Sequence, residues 1–516
     1  MSDYGFWNLA QNDPLHVALV EPDGKEIRAG ELLAAANRLV HGLRDLGLEK
    51  GDCLATLLPN GAPMIEAYLA ALQAGWYLTP INTHLTAGEI AYILQDSDAK
   101  AFIASPRFAA ACCGAVEESG LARAARFAVG ALEGFSPYAA LTDGQPSTLP
   151  AERVAGQVMN YTSGTTGRPK GVRRPLAGFD PDTVASMFGM FLVMFGIGPG
   201  GAGVHLTGSP LYHTAVLMFA ASSLHFGHTV VLMDRWTPED CLAIIQARRV
   251  TTTHMVPTQF HRLLALPEEV RRRYDVSSLR HVIHAAAPCP VDVKRRMLEW
   301  WGPVIYEYYA ASEGGGTLVT PEEWLQYPGT VGRAWPSSQV RVLDEDGHDC
   351  PPGQPGTVYM SLGAADFEYH KDRQKTAANR RDGFFTVGDV GYLNDAGYLF
   401  LCDRKIDMII SGGVNIYPSE IESVLLTHPK VADVAVFGIP NDDWGEEVKA
   451  VVEPAPGADP GPQLAGEILD FCARKMAKYK CPRSIDFTAE MPRDPNGKLY
   501  KRKLRDPYWV GRARAI

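Results

Sequence analysis

No C-x-x-C pair occurs in this chain. Its nine cysteines are scattered apart from the adjacent Cys112-Cys113, which argues against a disulfide framework or a cysteine-based zinc site and for a reduced, cytoplasmic setting. Positive charge is also short. The formal net charge is −10, so the chain is not a general nucleic-acid binder, and any anionic ligand must be met by local basic groups. The opening MSDYGFWNLAQNDP lacks a basic stretch followed by an apolar one, and no secretory leader is expected. Long apolar runs are missing too. The longest, residues 184–198, falls short of the ~20 residues that a bilayer-spanning helix needs. It reads as a buried helix, with room for peripheral membrane contact if the substrate is lipid-like. No short fixed repeat signals a solenoid.

What is present is a large, ordinary globular composition. The 516 residues, 46% hydrophobic and 21% charged, exceed what one core organises, so two or more domains are expected. Residues 16–28 read as a hairpin turning at Asp23-Gly24. An amphipathic helix follows, with Leu32, Ala36, Leu39, Val40 and Leu43 on one face. Short apolar strands at 54–58, 76–81 and 101–104 then alternate with helices carrying Met64 to Leu72 and Ala87 to Gln95. Gly75 stops the first of these helices. Beyond a Pro/Gly/Ser/Thr-rich linker at 135–152, the alternation returns, with strands at 204–211, 229–232 and 252–256 and a helix at 238–249. That rhythm means βαβ units and a largely parallel sheet. Turn signals crowd residues 329–400 and mark a small β subdomain. The expected fold is α/β. Residues 1–403 form a large core, 404–406 a hinge, and 407–516 a smaller, mobile α+β domain with helices at 419–426 and 463–476 and strands at 431–437 and 448–452.

The most informative string is Tyr161 to Val172, YTSGTTGRPKGV. Seven of its twelve residues are Gly, Ser or Thr, and Lys170 stands near its end. An apolar run ending at Tyr161 feeds it as a buried strand. Glycines let backbone N–H groups crowd an anion, hydroxyls add donors, and a lysine adds a point charge. The string is a triphosphate cradle in chemistry, yet a Walker A pattern cannot be laid over Gly164 to Gly171.

The string resembles the phosphate loop of the adenylate-forming superfamily: acyl-CoA synthetases, luciferases and peptide-synthetase adenylation domains. Five further stretches match in order. The resemblance implies ATP or AMP contacts from Thr162, Ser163, Gly164, Thr165, Thr166, Gly167 and Lys170. Ala285-Ala286-Ala287-Pro288 resembles the segment on one face of the adenine, with Ala286, Ala287 and Pro288 as contacts. Tyr308-Tyr309-Ala310-Ala311-Ser312-Glu313-Gly314 resembles Tyr-Gly-x-Thr-Glu. It implies Tyr309 on the other adenine face, Ser312 near phosphate and Glu313 as the Mg²⁺ ligand. Ala310 departs from the family glycine and Ser312 from its threonine, though serine keeps the hydroxyl. Asp389, in Phe385-Thr386-Val387-Gly388-Asp389, would hold the ribose hydroxyls, and Arg404 would contact ribose or phosphate. Gly412-Gly413 would line the pantetheine tunnel, with Tyr479 and Lys480 against CoA. Ile406 is an apolar residue where the family hinge is commonly Asp or Lys, and Cys481 is not basic as it can be in relatives. Lys498, in PRDPNGKLYK, matches the adenylation lysine, and with Glu313 and Thr166 it completes the implied catalytic set. Tyr212-His213, with Ala310 and Gly314, would border the acyl pocket.

The implied activity is an acyl-CoA synthetase of the fatty-acid–CoA ligase type, using ATP, Mg²⁺ and CoA. The stretch after His213, residues 214–219, carries no acid, and no carrier domain is expected after residue 516. Both features favour a free apolar acid over an amino acid: medium- or long-chain, or bulky like a sterol side-chain acid, with an aryl acid also open. Two other readings are an adenylating ligase that loads a carrier protein or amine, and a non-catalytic nucleotide-binding regulator. The expected partners are small molecules, with a homodimer left open.

Overall fold

The computed structural model describes residues 4–162, 169–200, 202–361, 367–494 and 497–511. Two mostly parallel sheets dominate its first part. One runs in the spatial order Ser136–Pro137, Arg126–Ala128, Ala99–Ala104, Cys53–Leu57, Tyr77–Pro80 and Gln157–Val158, all parallel. The other has nine strands. Its parallel centre is Ile305–Ala311, His281–His284, Thr252–Met255, Val204–Thr207, Thr229–Leu232 and Val17–Val20, with antiparallel strands at both edges. The expected 16–28 hairpin forms one of those edges.

Local chemistry sets the helices. Thr86 accepts from the Glu89 N–H while Glu89 caps the Thr86 N–H, opening helix Ala87–Asp96. Gly75 closes helix Ala62–Ala74 at φ 75°, a left-handed conformation suited to glycine. Pro257 starts helix Pro257–Leu264, and the Gln259 side chain turns back to the Val256 N–H at 3.0 Å.

Three expectations change. Residues 157–161 do not form one strand. Gln157–Val158 extends the parallel sheet, and Asn160–Thr162 leaves it to pair with Lys170–Arg173 in a separate three-stranded sheet with Glu368–Tyr369. The 135–152 linker is packed structure, since it holds a short strand and the helical turn Ala139–Thr142 with Leu141 buried. The 184–198 run is a helix, Pro181–Val193, but it is buried on one side only. Its small-residue side, Ala185 and Gly189, packs inward because a Cβ at Gly189 would stand 2.1 Å from the Phe226 ring. Met187 and Met190 are left 64% and 59% exposed. No helix among the described residues is long and apolar enough to cross a membrane.

The β-rich region is an antiparallel sheet built from Gln339–Leu343, Gly356–Ser361, Phe384–Phe385, Asp389–Leu393 and Leu399–Arg404. A helix at Arg373–Ala378, not anticipated, is inserted in it. The last part of the chain builds a sheet on the long antiparallel pair Val431–Asn441 and Gly445–Pro454, with Ser484–Phe487 parallel to the latter. Helices Pro418–Leu425 and Pro462–Lys475 flank it.

The core is rich in uncharged histidine. Burial lowers His205, His225 and His254 to about 3. His225 shows why the neutral form is required. Its Nδ1 accepts from the Phe6 N–H at 3.1 Å, which leaves Nε2–H for the Tyr68 hydroxyl at 3.2 Å. Below about pH 6.5 an unfolded chain protonates these imidazoles and the folded one does not. Stability is therefore full above that pH and declines as acid is added, by about 1.4 kcal/mol per pH unit for each such group. Urea unfolding should show a clearly lower midpoint at pH 5.5 than at pH 7.5. Equal midpoints would contradict the burial of neutral imidazole.

Candidate active site

The parallel strands Val204–Thr207, Thr252–Met255, His281–His284 and Ile305–Ala311 all end on the same edge of the nine-stranded sheet. The segments beyond them carry Tyr212 and His213, Val256 and Thr258, Ala285 to Pro288, and Ser312 and Glu313. Open α/β sheets bind ligands along this carboxyl edge. The implied residues are thus gathered by topology.

The antiparallel pair Asn160–Thr162 and Lys170–Arg173 sets Thr162 opposite Lys170. Ser163, Gly164, Thr165, Thr166 and Gly167 lie outside the described residues. Lys170, 12% exposed, pairs with Asp372 at 3.2 Å, its Nζ 5.6 Å from the centre of the Tyr369 ring. The Tyr369 hydroxyl donates to Glu313 Oε1 at 2.7 Å, and Glu313 is buried. Arg174 donates to the Ser312 carbonyl at 2.6 Å, and burial lowers it against the pull of Glu313. Lys375 is pushed down to about 8 by burial and by Lys170 beside it. Asp372 is taken up by Lys170, while Glu313 offers a buried carboxylate beside these cations; a hard divalent ion held mainly by phosphate oxygens takes such an oxygen ligand, so Glu313 fits a magnesium site.

Ala286, two residues past the 281–284 strand, takes φ 75°, and Ala286 and Pro288 are exposed on that edge. Tyr309 donates its hydroxyl to Asp389 Oδ2 at 2.6 Å, and Arg404 Nε stands 3.4 Å from Asp389 Oδ1. Asp389 and Arg404 are cross-strand partners, which fixes their meeting. Both carboxylate oxygens are thus engaged.

Lys498 reaches the same place from the C-terminal part of the chain. Its N–H donates to Asp494 Oδ1 at 2.9 Å. Burial and then Arg404 lower its ammonium, against Asp494, Asp389 and Asp407. Burial and then Lys498 push His213 down to about 3, and its Nε2 has no hydrogen-bond partner among the described residues. The Tyr212 ring lies 4.3 Å from that of His213. Behind them, Phe191, Phe195, Phe219, Tyr308 and Trp335 pack mostly edge to face, with centroids 5.3 to 6.1 Å apart for Phe191 and its neighbours. Ala310 packs against this cluster, and Gly314 opens the next strand at φ 123°.

The other implied residues keep partners within the C-terminal part. Gly412 bonds to the Trp444 carbonyl at 2.8 Å, and Gly413 follows it at φ 78°. Lys480 contacts both oxygens of Glu420 at 2.7 Å, beside an exposed Tyr479.

The model of the AMP-binding enzyme family matches residues 6–364, and that of the AMP-binding enzyme C-terminal domain matches 420–498. The chain belongs to this family, within the adenylate-forming superfamily. As an AMP-binding enzyme it is similar to the fatty acid–[acyl-carrier-protein] ligase ScoC of Streptomyces coeruleorubidus (32% identity over 98% of this chain and 96% of that protein). It is 33% identical to a feruloyl-CoA synthase of Amycolatopsis sp, over 95% of this chain and 96% of that one. The structure of the o-succinylbenzoate CoA synthetase MenE of Bacillus subtilis, in complex with OSB-AMP, superposes with a TM-score of 0.80 at 28% identity, covering 98% of each chain.

Tyr369, Arg174, Lys375 and Thr258 were not singled out from sequence. Arg174 had a signal: it follows Lys170 closely in a chain whose net charge demands local cations. Tyr369 sits in a plain Phe-Glu-Tyr string, and only the pairing of strand Glu368–Tyr369 with Lys170–Arg173 brings it to Glu313. In the AMP-binding enzyme, Asp389→Asn removes the charge that holds Arg404 and leaves one oxygen where the carboxylate offered two to Arg404 and Tyr309. ATP affinity by calorimetry should fall about tenfold or more. Unchanged affinity would contradict a nucleotide role for this carboxylate.

Proposed function

We propose that the enzyme activates an apolar carboxylic acid, medium- or long-chain or bulky and ring-bearing, as acyl-AMP and passes the acyl group to CoA. The acid's carboxylate attacks the α-phosphorus of ATP and pyrophosphate leaves. The CoA thiol then attacks the acyl carbonyl, and AMP leaves. One observation carries this reading: Lys498, on the C-terminal turn whose Gly497 packs on Thr258, is electrostatically coupled to Arg404, Asp389 and His213. A cation there meets charge developing between an acyl carboxylate and the α-phosphate, a preorganised electrostatic contribution that is often the largest in catalysis. Lys170, Arg174 and Lys375 would receive the leaving phosphates. When bound at Glu313, magnesium would add charge neutralisation on those phosphates.

The edge-to-face cluster of Phe191, Phe195, Phe219, Tyr308 and Trp335 supports an acid with substantial apolar bulk. For the thiol step, the region at 404–406 would act as a hinge between a 1–403 core and a 407–516 domain. Lys498 would withdraw, and Gly412-Gly413 with Tyr479 and Lys480 would bring in the pantetheine arm. A second reading, transfer to a carrier protein, is supported by the likeness to a fatty acid–[acyl-carrier-protein] ligase.

Acid-dependent exchange of labelled pyrophosphate into ATP, run without CoA over fatty, aryl, sterol-type and amino acids, tests the first step. Exchange with apolar acids is expected, and preference for acetate or an amino acid would overturn the substrate class. CoA against a pantetheinylated carrier protein then identifies the acceptor. Lys498→Ala should abolish exchange and spare thioester formation from supplied acyl-AMP. Equal loss of both steps would refute its role.

A further inference from the structure

Lys498 is the far end of a turn, and the turn is held from two directions. Within it, the Gly497 N–H donates to the Asp494 carbonyl at 2.9 Å and the Asp494 N–H to the Lys498 carbonyl at 3.0 Å. From below, Arg493 grips it. Its Nε and Nη2 contact the two oxygens of Asp433 at 2.5 and 2.8 Å, and its Nη1 donates to the Gly497 carbonyl at 2.7 Å. Asp433 belongs to Val431–Asn441, the edge strand of the long antiparallel pair on which the C-terminal sheet is built. One guanidinium thus ties the lysine turn to that sheet through a bidentate pair, a geometry lysine cannot reproduce.

From above, the turn rests on the large domain. A Cβ added at Gly497 would stand 2.5 Å from Thr258 Oγ1 and 3.4 Å from Val256 Cγ2. Thr258 lies in the first turn of helix Pro257–Leu264. His261, one turn on, faces the Ala432 backbone and Asp433, the carboxylate that holds Arg493. The N-terminal end of this helix follows strand Thr252–Met255 on the ligand-binding edge of the sheet.

We propose that Arg493 is a positioning residue for adenylation, and that Thr258 is the surface on which its turn seats Lys498. Asp433, Arg493 and the Gly497 carbonyl set the height of the turn above the C-terminal sheet. The bare Cα of Gly497 against Thr258 sets its depth in the cleft. The inference rests on reading Lys498 as the adenylation lysine. It adds that the lysine is active only when this seat is closed, and that the thiol step does not need the seat.

Two variants of the full-length enzyme test it, each assayed for pyrophosphate exchange and for thioester formation from supplied acyl-AMP with CoA. Arg493→Lys keeps the charge and loses the fork. Thr258→Tyr fills the seat from the opposite domain and leaves the C-terminal sheet untouched. Each should cut the exchange rate about 100-fold, the scale of an ångström-sized misplacement. Each should leave the thioester step and the KM for CoA unchanged. A variant that exchanges like the wild type, or that loses both steps equally, overturns the proposal. Wild-type enzyme without exchange for any acid would overturn the reading of Lys498 itself, and the proposal with it.

Discussion

Arg404 pairs with Asp389, and the buried Lys498 feels the charge of both; the proposed chemistry depends on that grouping of two cations with a carboxylate. Like charges in a half-buried space repel unless anions share it. Asp494 and Asp407 join Asp389 in that role. The Lys170 side repeats the pattern: Lys170 leans on Asp372, Lys375 is depressed by burial and then by Lys170, and Arg174 feels the charge of Glu313. In a chain of net charge −10, cations are collected locally and held by carboxylates, which suits the polyanion that the proposed function brings there.

The sheets supply the precision. Parallel strands bring four loop segments to one edge, and the side chains alternate along strand Ile305–Ala311. Tyr308 faces the aromatic cluster, while Glu307 meets Lys294 at 2.7 Å and His284 at 3.3 Å in the core. Burial would raise the Glu307 carboxyl, but Lys294 and His284 outweigh it and hold it ionised. Breaking such a buried set costs about 3–5 kcal/mol, so the strand that presents Tyr309 is anchored just beneath it.

Much of this was legible in the sequence, because glycine, proline and hydrophobic period act locally. The 16–28 hairpin, the helix stopped by Gly75 and the long C-terminal strands follow from such signals. What was not legible depends on pairing between distant segments. Nothing near Tyr369 announces that it will meet Glu313, and nothing near Arg493 announces Asp433. The exposed side of helix Pro181–Val193 was missed for a related reason. From Met187 to Val193 its residues are apolar all round, and the close fit of Gly189 against the Phe226 ring is what turns that side inward.

The central claim is that a carboxylate oxygen of the acid bonds to the α-phosphorus of ATP before the acyl group moves on. A substrate acid labelled with oxygen-18 in its carboxylate tests that directly, with mass analysis of the nucleotide after turnover with CoA. The account predicts one labelled oxygen in AMP, because the acyl carbon–oxygen bond breaks when the thiol attacks. Label in inorganic phosphate, or AMP free of label alongside formed thioester, would contradict it.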